Sequence, residues 1–184
     1  MYTSNLKVSS QYAKSLLKQA REAEMLENIY RDALLFKKVV EENKKLLKVL
    51  ESPIITSQKK LAILNELFKN RLHKITLNLF QLISHATREA LIPTVMDIFI
   101  EQYYDYKKIK VASVTTTFKL SNDLISYFKT MVKSLMPCKE VILNEYINPS
   151  IQGGFILRVA DQQIDNSLAN KLHKLKAQFS VNEY

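Results

Sequence analysis

Three histidines, His73, His85 and His173, and one cysteine, Cys138, are the obvious candidates for metal or nucleophilic chemistry. A zinc site needs such residues at short, repeated spacing, and these are scattered along the chain. A cysteine nucleophile needs a positioned base, and Cys138 follows Pro137 with no histidine near it in sequence. Glu41 and Glu42 are adjacent, so on a helix they point to different faces and do not form an acid–base pair. No Gly-x-Ser-x-Gly, His-Glu-x-x-His or calcium-loop pattern occurs. The only two glycines are Gly153 and Gly154. A Rossmann fingerprint or a P-loop needs several glycines in one short loop, so both are excluded. The expectation is a non-catalytic chain with no cofactor and no metal.

The 184 residues carry 27 Lys plus Arg against 18 Asp plus Glu, a formal net charge of +9. A basic nucleic-acid-binding helical module is therefore the alternative reading, helped by Tyr103, Tyr104 and Tyr106 beside Lys107, Lys108 and Lys110. Two features weigh against it. Only five of the basic residues are arginine, the side chain suited to bidentate phosphate contact. The charge is also spread along the chain, as on an ordinary solvated surface. The single cysteine fits a reducing compartment. The start of the chain lacks an apolar signal core, and no stretch approaches the roughly 20 apolar residues of a membrane span. Any membrane association is expected to go through a partner.

Such a chain must be built from elements that need little glycine, and the first hundred residues read as helix after helix. Tyr12, Ala13, Leu16, Leu17 and Ala20 form an apolar stripe over Ser9–Arg21, with Ser9 or Ser10 as N-cap. Leu26, Ile29, Tyr30, Ala33, Phe36 and Val40 mark a second helix over Glu24–Glu42. A short third helix, Lys44–Glu51, ends at Ser52-Pro53. Thr56 or Ser57 caps a fourth, a fifth spans Arg71–Glu89, and a sixth starts near Pro93. Ser, Thr, Asn and Pro are expected to serve the caps and loops.

Near Asp105 the texture changes. The stretch 109–118 is β-branched, as strands prefer. Ser121 caps a helix over Asn122–Met136, Val141–Ile147 is a second strand, and Phe155–Ile164 is a third. Leu168, Leu172, Leu175 and Phe179 line a last helix behind an Asp165-Asn166-Ser167 turn. The fold class is α+β: a six-helix bundle over 1–105, then a small β-α-β-β-α domain over 106–184. The Gly153-Gly154 segment reads as a hairpin followed by a capped helix.

The segment from Asn148 to Ser167 resembles the C-terminal signature of the delta subunit of F-type ATP synthases, the family of the mitochondrial oligomycin-sensitivity-conferring protein. Pro149, Ser150, Gly153, Gly154, Leu157, Arg158, Asp161, Ile164, Asp165 and Ser167 match. Asn148, Ala160 and Asn166 depart, the last two from family glycines. Asn tolerates a left-handed turn, so Asn166 is expected to keep the geometry. Gln11-Tyr12-Ala13 near the start, and Arg88, Leu91 and Ile92 in the middle, are also similar to the family.

The resemblance implies a non-catalytic stator subunit joining the catalytic head to the peripheral stalk and resisting rotor torque. It implies that the bundle holds N-terminal helices of the alpha subunits, and that the C-terminal domain holds the ends of the b subunits. It implies a peripheral location on the cytoplasmic face of the bacterial plasma membrane and no nucleic-acid partner. Carried onto this chain, the head-binding residues are Tyr12, Leu16 and Leu17 on the first helix and Leu79, Leu82 and Ile83 on the fifth. For each of these, membership of the bundle core is the competing reading. Pro149, Gly153, Gly154, Arg158, Asp165 and Ser167 form the structural motif of the C-terminal domain.

Overall fold

A computed structural model describes the backbone of residues 2–181, with the side chains of 2–4, 175 and 177–181 outside the description. The chain divides into two compact units, Met1–Tyr104 and Asp105–Tyr184.

The first unit is helical: α1 (Tyr2–Glu22), α2 (Leu26–Glu42), α3 (Lys44–Glu51), α4 (Ser57–Phe68), α5 (Lys74–His85), a 3-10 turn (Glu89–Leu91) and most of α6 (Ile92–Lys107). Helix α1 begins well before the expected Ser9 or Ser10 cap. Ser9 lies fully buried within it, on the same stripe as Ala13, Leu16 and Ala20. Small side chains on that stripe let α1 approach its neighbours closely. The core gathers Phe36, Phe68 and Phe80 from α2, α4 and α5, with ring centroids 5.3–6.4 Å apart. Tilted and edge-on contacts of this kind suit the aromatic quadrupole.

Helix α5 is shorter than its apolar pattern. Its N-cap is His73, whose Nδ1 accepts from the Ile75 N–H, and it stops at a left-handed Thr87 (φ 55°). Thr87 donates its N–H to Ser84 and Arg88 donates to Ile83, closing the helix end. Glu24 plays the same part after α1, at φ 55°. Capping by Ser, Thr, Asn and Pro is therefore only part of the reason the chain does without glycine. Left-handed positions exist here, and Glu24, Thr87, Lys108, Gln152 and Ala160 occupy them.

One polar pair inside this unit has no signal in the hydrophobic pattern. Lys60 of α4 reaches Glu89 at 3.5 Å, with both side chains almost fully buried.

The second unit holds β1 (Ile109–Thr116), α7 (Asn122–Leu135), β2 (Glu140–Ile147), a 3-10 turn (Pro149–Ile151), β3 (Phe155–Val159), β4 (Gln162–Asp165) and α8 (Leu168–Val181). Ser121 caps α7 through its side chain, which accepts from the Leu124 N–H. The sheet order is β2-β1-β3-β4, with β1 parallel to β2 and antiparallel to β3. Helix α7 makes the crossover that a parallel pair requires. It packs Phe128 and Val132 against Ala112, Val114, Val141, Leu157 and Val159.

Two expectations change here. The expected third strand is a hairpin, β3 and β4, turning at a left-handed Ala160 (φ 48°). The strands flanking Gly153-Gly154 are not a hairpin, because β1 lies between β2 and β3. On α8, Leu168 and Leu172 are half-exposed. Leu175 and Phe179 lie outside the described side chains.

Candidate functional site

On the helical unit, α1 and α5 flank a groove of about 340 Å³ lined by Val8, Gln11, Tyr12, Ser15, Leu82 and Arg88. Helical geometry explains its first wall. The core stripe of α1 runs through Ser9, Ala13, Leu16 and Ala20. Val8, Gln11, Tyr12 and Ser15 recur at i, i+3, i+4 and i+7 and form the adjacent stripe. A helix with about 100° per residue thus serves the core with one stripe and the groove with the next. The other wall comes from Leu82, 56% exposed on α5, and from Arg88 just before the 3-10 turn.

The six head-binding candidates separate on this geometry. Leu16, Leu79 and Ile83 are buried in the bundle. Tyr12 and Leu82 line the groove. Leu17 is half-buried and falls on the opposite flank of the α1 core stripe, away from Val8 and Ser15. Val8, Gln11 and Ser15 escaped the sequence reading because no apolar run marks them. Their only signal is helical register with Tyr12. Arg88 makes no side-chain hydrogen bond or ion pair with any described residue.

The tyrosine cluster is mostly committed inside the helical unit. Tyr103 stacks on Tyr30 at 4.0 Å with 7° between the rings, and its hydroxyl donates to Glu27 at 2.7 Å. The Tyr104 and Tyr30 hydroxyls meet at 3.1 Å. Rings spent on each other are not available to stack on bases.

On the second unit, the Gly153-Gly154 motif is a clasp that holds the start of α8. The Asn148 side chain accepts from both the N–H (3.0 Å) and the hydroxyl (2.7 Å) of Ser150, setting the turn at Pro149. Gln152 is left-handed (φ 61°), and Gly153 and Gly154 follow at φ 146° and 76°. The Gly153 carbonyl then accepts the Leu168 N–H at 3.0 Å, while Phe155 O accepts the Asn166 N–H at 2.9 Å.

A Cβ on Gly154 would collide with the Asn166 carbonyl oxygen, whereas one on Gly153 would meet only Leu168 Cβ at 3.8 Å. Asn166 itself is not left-handed, so the turn geometry expected of it belongs to Gln152, Gly154 and Ala160. Asp165 accepts from the Ser167 hydroxyl at 2.6 Å and N–H at 2.9 Å, and Ser167 Oγ accepts the Asn170 N–H at 3.2 Å. The Ser167 hydroxyl, then its N–H, hold the Asp165 carboxyl below the usual carboxylate range. Arg158 donates through Nε and Nη2 to Gln163 Oε1 across the β3–β4 pair, at 3.1 and 2.7 Å. Asn148, Asp165 and Ser167 each use a side-chain oxygen to hold a backbone N–H of the motif.

The family model described as ATP synthase delta (OSCP) subunit matches residues 8–179. The chain belongs to this family. It is 61% identical over 184 residues to the ATP synthase subunit delta of Amoebophilus asiaticus (strain 5a2), covering 100% of both chains. It is 36% identical over 174 residues to that of Cytophaga hutchinsonii, covering 95% of this chain and 94% of the relative. A chain of the Toxoplasma gondii mitochondrial ATP synthase hexamer shares the fold. It has a TM-score of 0.69 at 21% identity, over 93% of this chain and 96% of that one. The delta (OSCP) family is structural and non-catalytic, consistent with a motif made of turns and caps. Among the described residues, no helix is long and apolar enough to cross a membrane.

Proposed function

We propose that this chain is the non-catalytic stator subunit of an F-type proton-translocating ATP synthase. It links the catalytic head to the peripheral stalk and resists rotor torque, so that proton flow is coupled to ATP synthesis. The observation that carries this reading is the delta (OSCP) family match across residues 8–179. It includes both the helical unit with its groove and the glycine clasp.

The helical unit binds the head. An N-terminal helix of an alpha subunit lies in the groove between α1 and α5, against Tyr12 and Leu82. Such helix-in-groove docking needs an apolar floor and a rigid frame. Leu16, Leu79 and Ile83 serve that frame as core, since they are buried. The second unit binds the ends of the b subunits, and the complex lies on the cytoplasmic face of the membrane.

A titration of the full chain with the N-terminal peptide of its own alpha subunit tests the head contact. Saturable binding that Leu82→Ala weakens supports it. No binding up to high micromolar peptide overturns it. Co-purification with the soluble part of the b subunits, lost when residues 106–184 are unfolded by substitution, tests the stalk contact.

A further inference from the structure

The charge around the groove is one-sided. Helix α1 carries Lys7, Lys14, Lys18 and Arg21 but a single acid, Glu22. Glu22 is already engaged by Lys18 at 3.8 Å. Helix α5 carries Lys74 and no acid. The lining of the groove contains no carboxylate, and its one charged member is Arg88. That guanidinium has no partner among the described residues, although it stands beside the exposed apolar side chain of Leu82.

The left-handed Thr87 and the N–H that Arg88 donates to Ile83 fix the backbone from which the side chain extends. A guanidinium placed beside apolar surface is a fork of donors suited to bidentate contact with a carboxylate. The surrounding lysines add a positive field that raises encounter with anionic segments.

We infer that the groove selects an acidic amphipathic helix, and that Arg88 is the specificity-determining residue that pairs with a carboxylate at the edge of that helix's apolar stripe. This rests on the helix-docking role proposed for the same groove and adds the sign of charge the partner must carry. A neutral or basic amphipathic helix of equal hydrophobicity fills the floor equally well, but leaves Arg88 unpaired and meets like charge along α1.

The test uses the full chain and three probes. One is the N-terminal peptide of its own alpha subunit. The second is a synthetic amphipathic helix of about five turns with a Leu stripe flanked by Glu, and the third is the same peptide with Gln in place of Glu. The Glu peptide is expected to bind at least about tenfold tighter than the Gln peptide at low salt. That gap should shrink as NaCl rises from about 50 mM to about 500 mM.

Arg88→Gln should remove most of the preference, while Leu82→Ala weakens both synthetic peptides alike. Arg88 is exposed, so its substitution leaves the bundle intact. Equal binding of the Glu and Gln peptides at low salt, or a preference that survives Arg88→Gln, overturns the inference. If the alpha-subunit peptide binds without dependence on salt or on Arg88, this inference fails and the docking role stands. If only the Glu peptide binds, and through Arg88, the alpha-subunit assignment fails and the acidic-helix selectivity stands. Failure of all three probes to bind removes both.

Discussion

Asp32 on α2 accepts a hydrogen bond from the hydroxyl of Thr76 on α5 at 2.7 Å, and the same oxygen accepts the backbone N–H of His73, also at 2.7 Å. The carboxylate is nearly buried and sits at the N-terminus of α5, where unpaired N–H groups and the helix dipole favour negative charge. One side chain therefore braces the N-cap residue and first turn of the helix that forms a wall of the groove and ties them to α2.

Asp32→Ala should destabilise the helical unit by about 2 kcal/mol, since it leaves the His73 N–H and the buried Thr76 hydroxyl without their acceptor. Amide hydrogen exchange checks this. Exchange should accelerate first at His73, whose N–H loses its acceptor, and then along the first turn of α5, and the residues of the second unit should be unaffected. Unchanged exchange in α5 would contradict the assignment.

The buried Lys60–Glu89 pair predicts that the double variant is more stable than the single one. Lys60→Met leaves Glu89 buried without its counter-charge and should cost about 3 kcal/mol or more. Lys60→Met combined with Glu89→Leu removes both charges and should recover most of that loss. Urea titrations of the two variants decide it. A double variant as unstable as the single one would mean that the pair is worth more than an apolar contact.

In the glycine clasp, space and backbone conformation make separate predictions. Gly154→Ala should unfold the turn and release α8, because its Cβ runs into the Asn166 backbone. Gly153→Ala meets only Leu168 at van der Waals distance, so its cost is the strain of φ 146° alone. Ala160→Gly should stabilise the β3–β4 hairpin by about 1 kcal/mol by relieving a left-handed alanine. Chemical-shift and thermal-melt comparison of the three variants gives the order. An Ala160→Gly protein that melts earlier than its parent contradicts the strain argument.

The start of α8 should loosen in acid. Asp165 is held below its ordinary range by bonds from Ser167. A carboxylate whose folded pKa is depressed contributes stability above its unfolded pKa and loses it as pH falls through the folded one. Protection of the Ser167 and Asn170 amides should therefore decline once pH drops below the normal carboxylate range. In Asp165→Asn that acid step should vanish. An identical acid profile in the variant would show that another group controls it.

How much of this was legible beforehand differs from element to element. The amphipathic stripes announced the helices because burial on one side of a 3.6-residue repeat leaves a periodic trace. The Asn148–Ser167 motif announced its family because turns and caps demand particular residue types at fixed spacing. Such constraints are local, so a linear chain records them. Ala160 was visible as a departure from glycine, yet not as the turn of a hairpin. The turn at Ala160-Asp161 carries neither glycine nor proline, so the usual residue types that mark a hairpin are missing there.

The sequence by itself determined the helix–then–sheet order, the family and the absence of nucleotide-binding loops, because these rest on local periodicity and turn chemistry. Only the tertiary structure decided that Leu16, Leu79 and Ile83 are core while Tyr12 and Leu82 face a groove. It alone inserted β1 between β2 and β3, buried Lys60 against Glu89, and set Arg88 beside Leu82. The physical reason is that an apolar stripe says a side chain avoids water, not which neighbour provides the cover. That choice depends on residues brought together from distant parts of the chain.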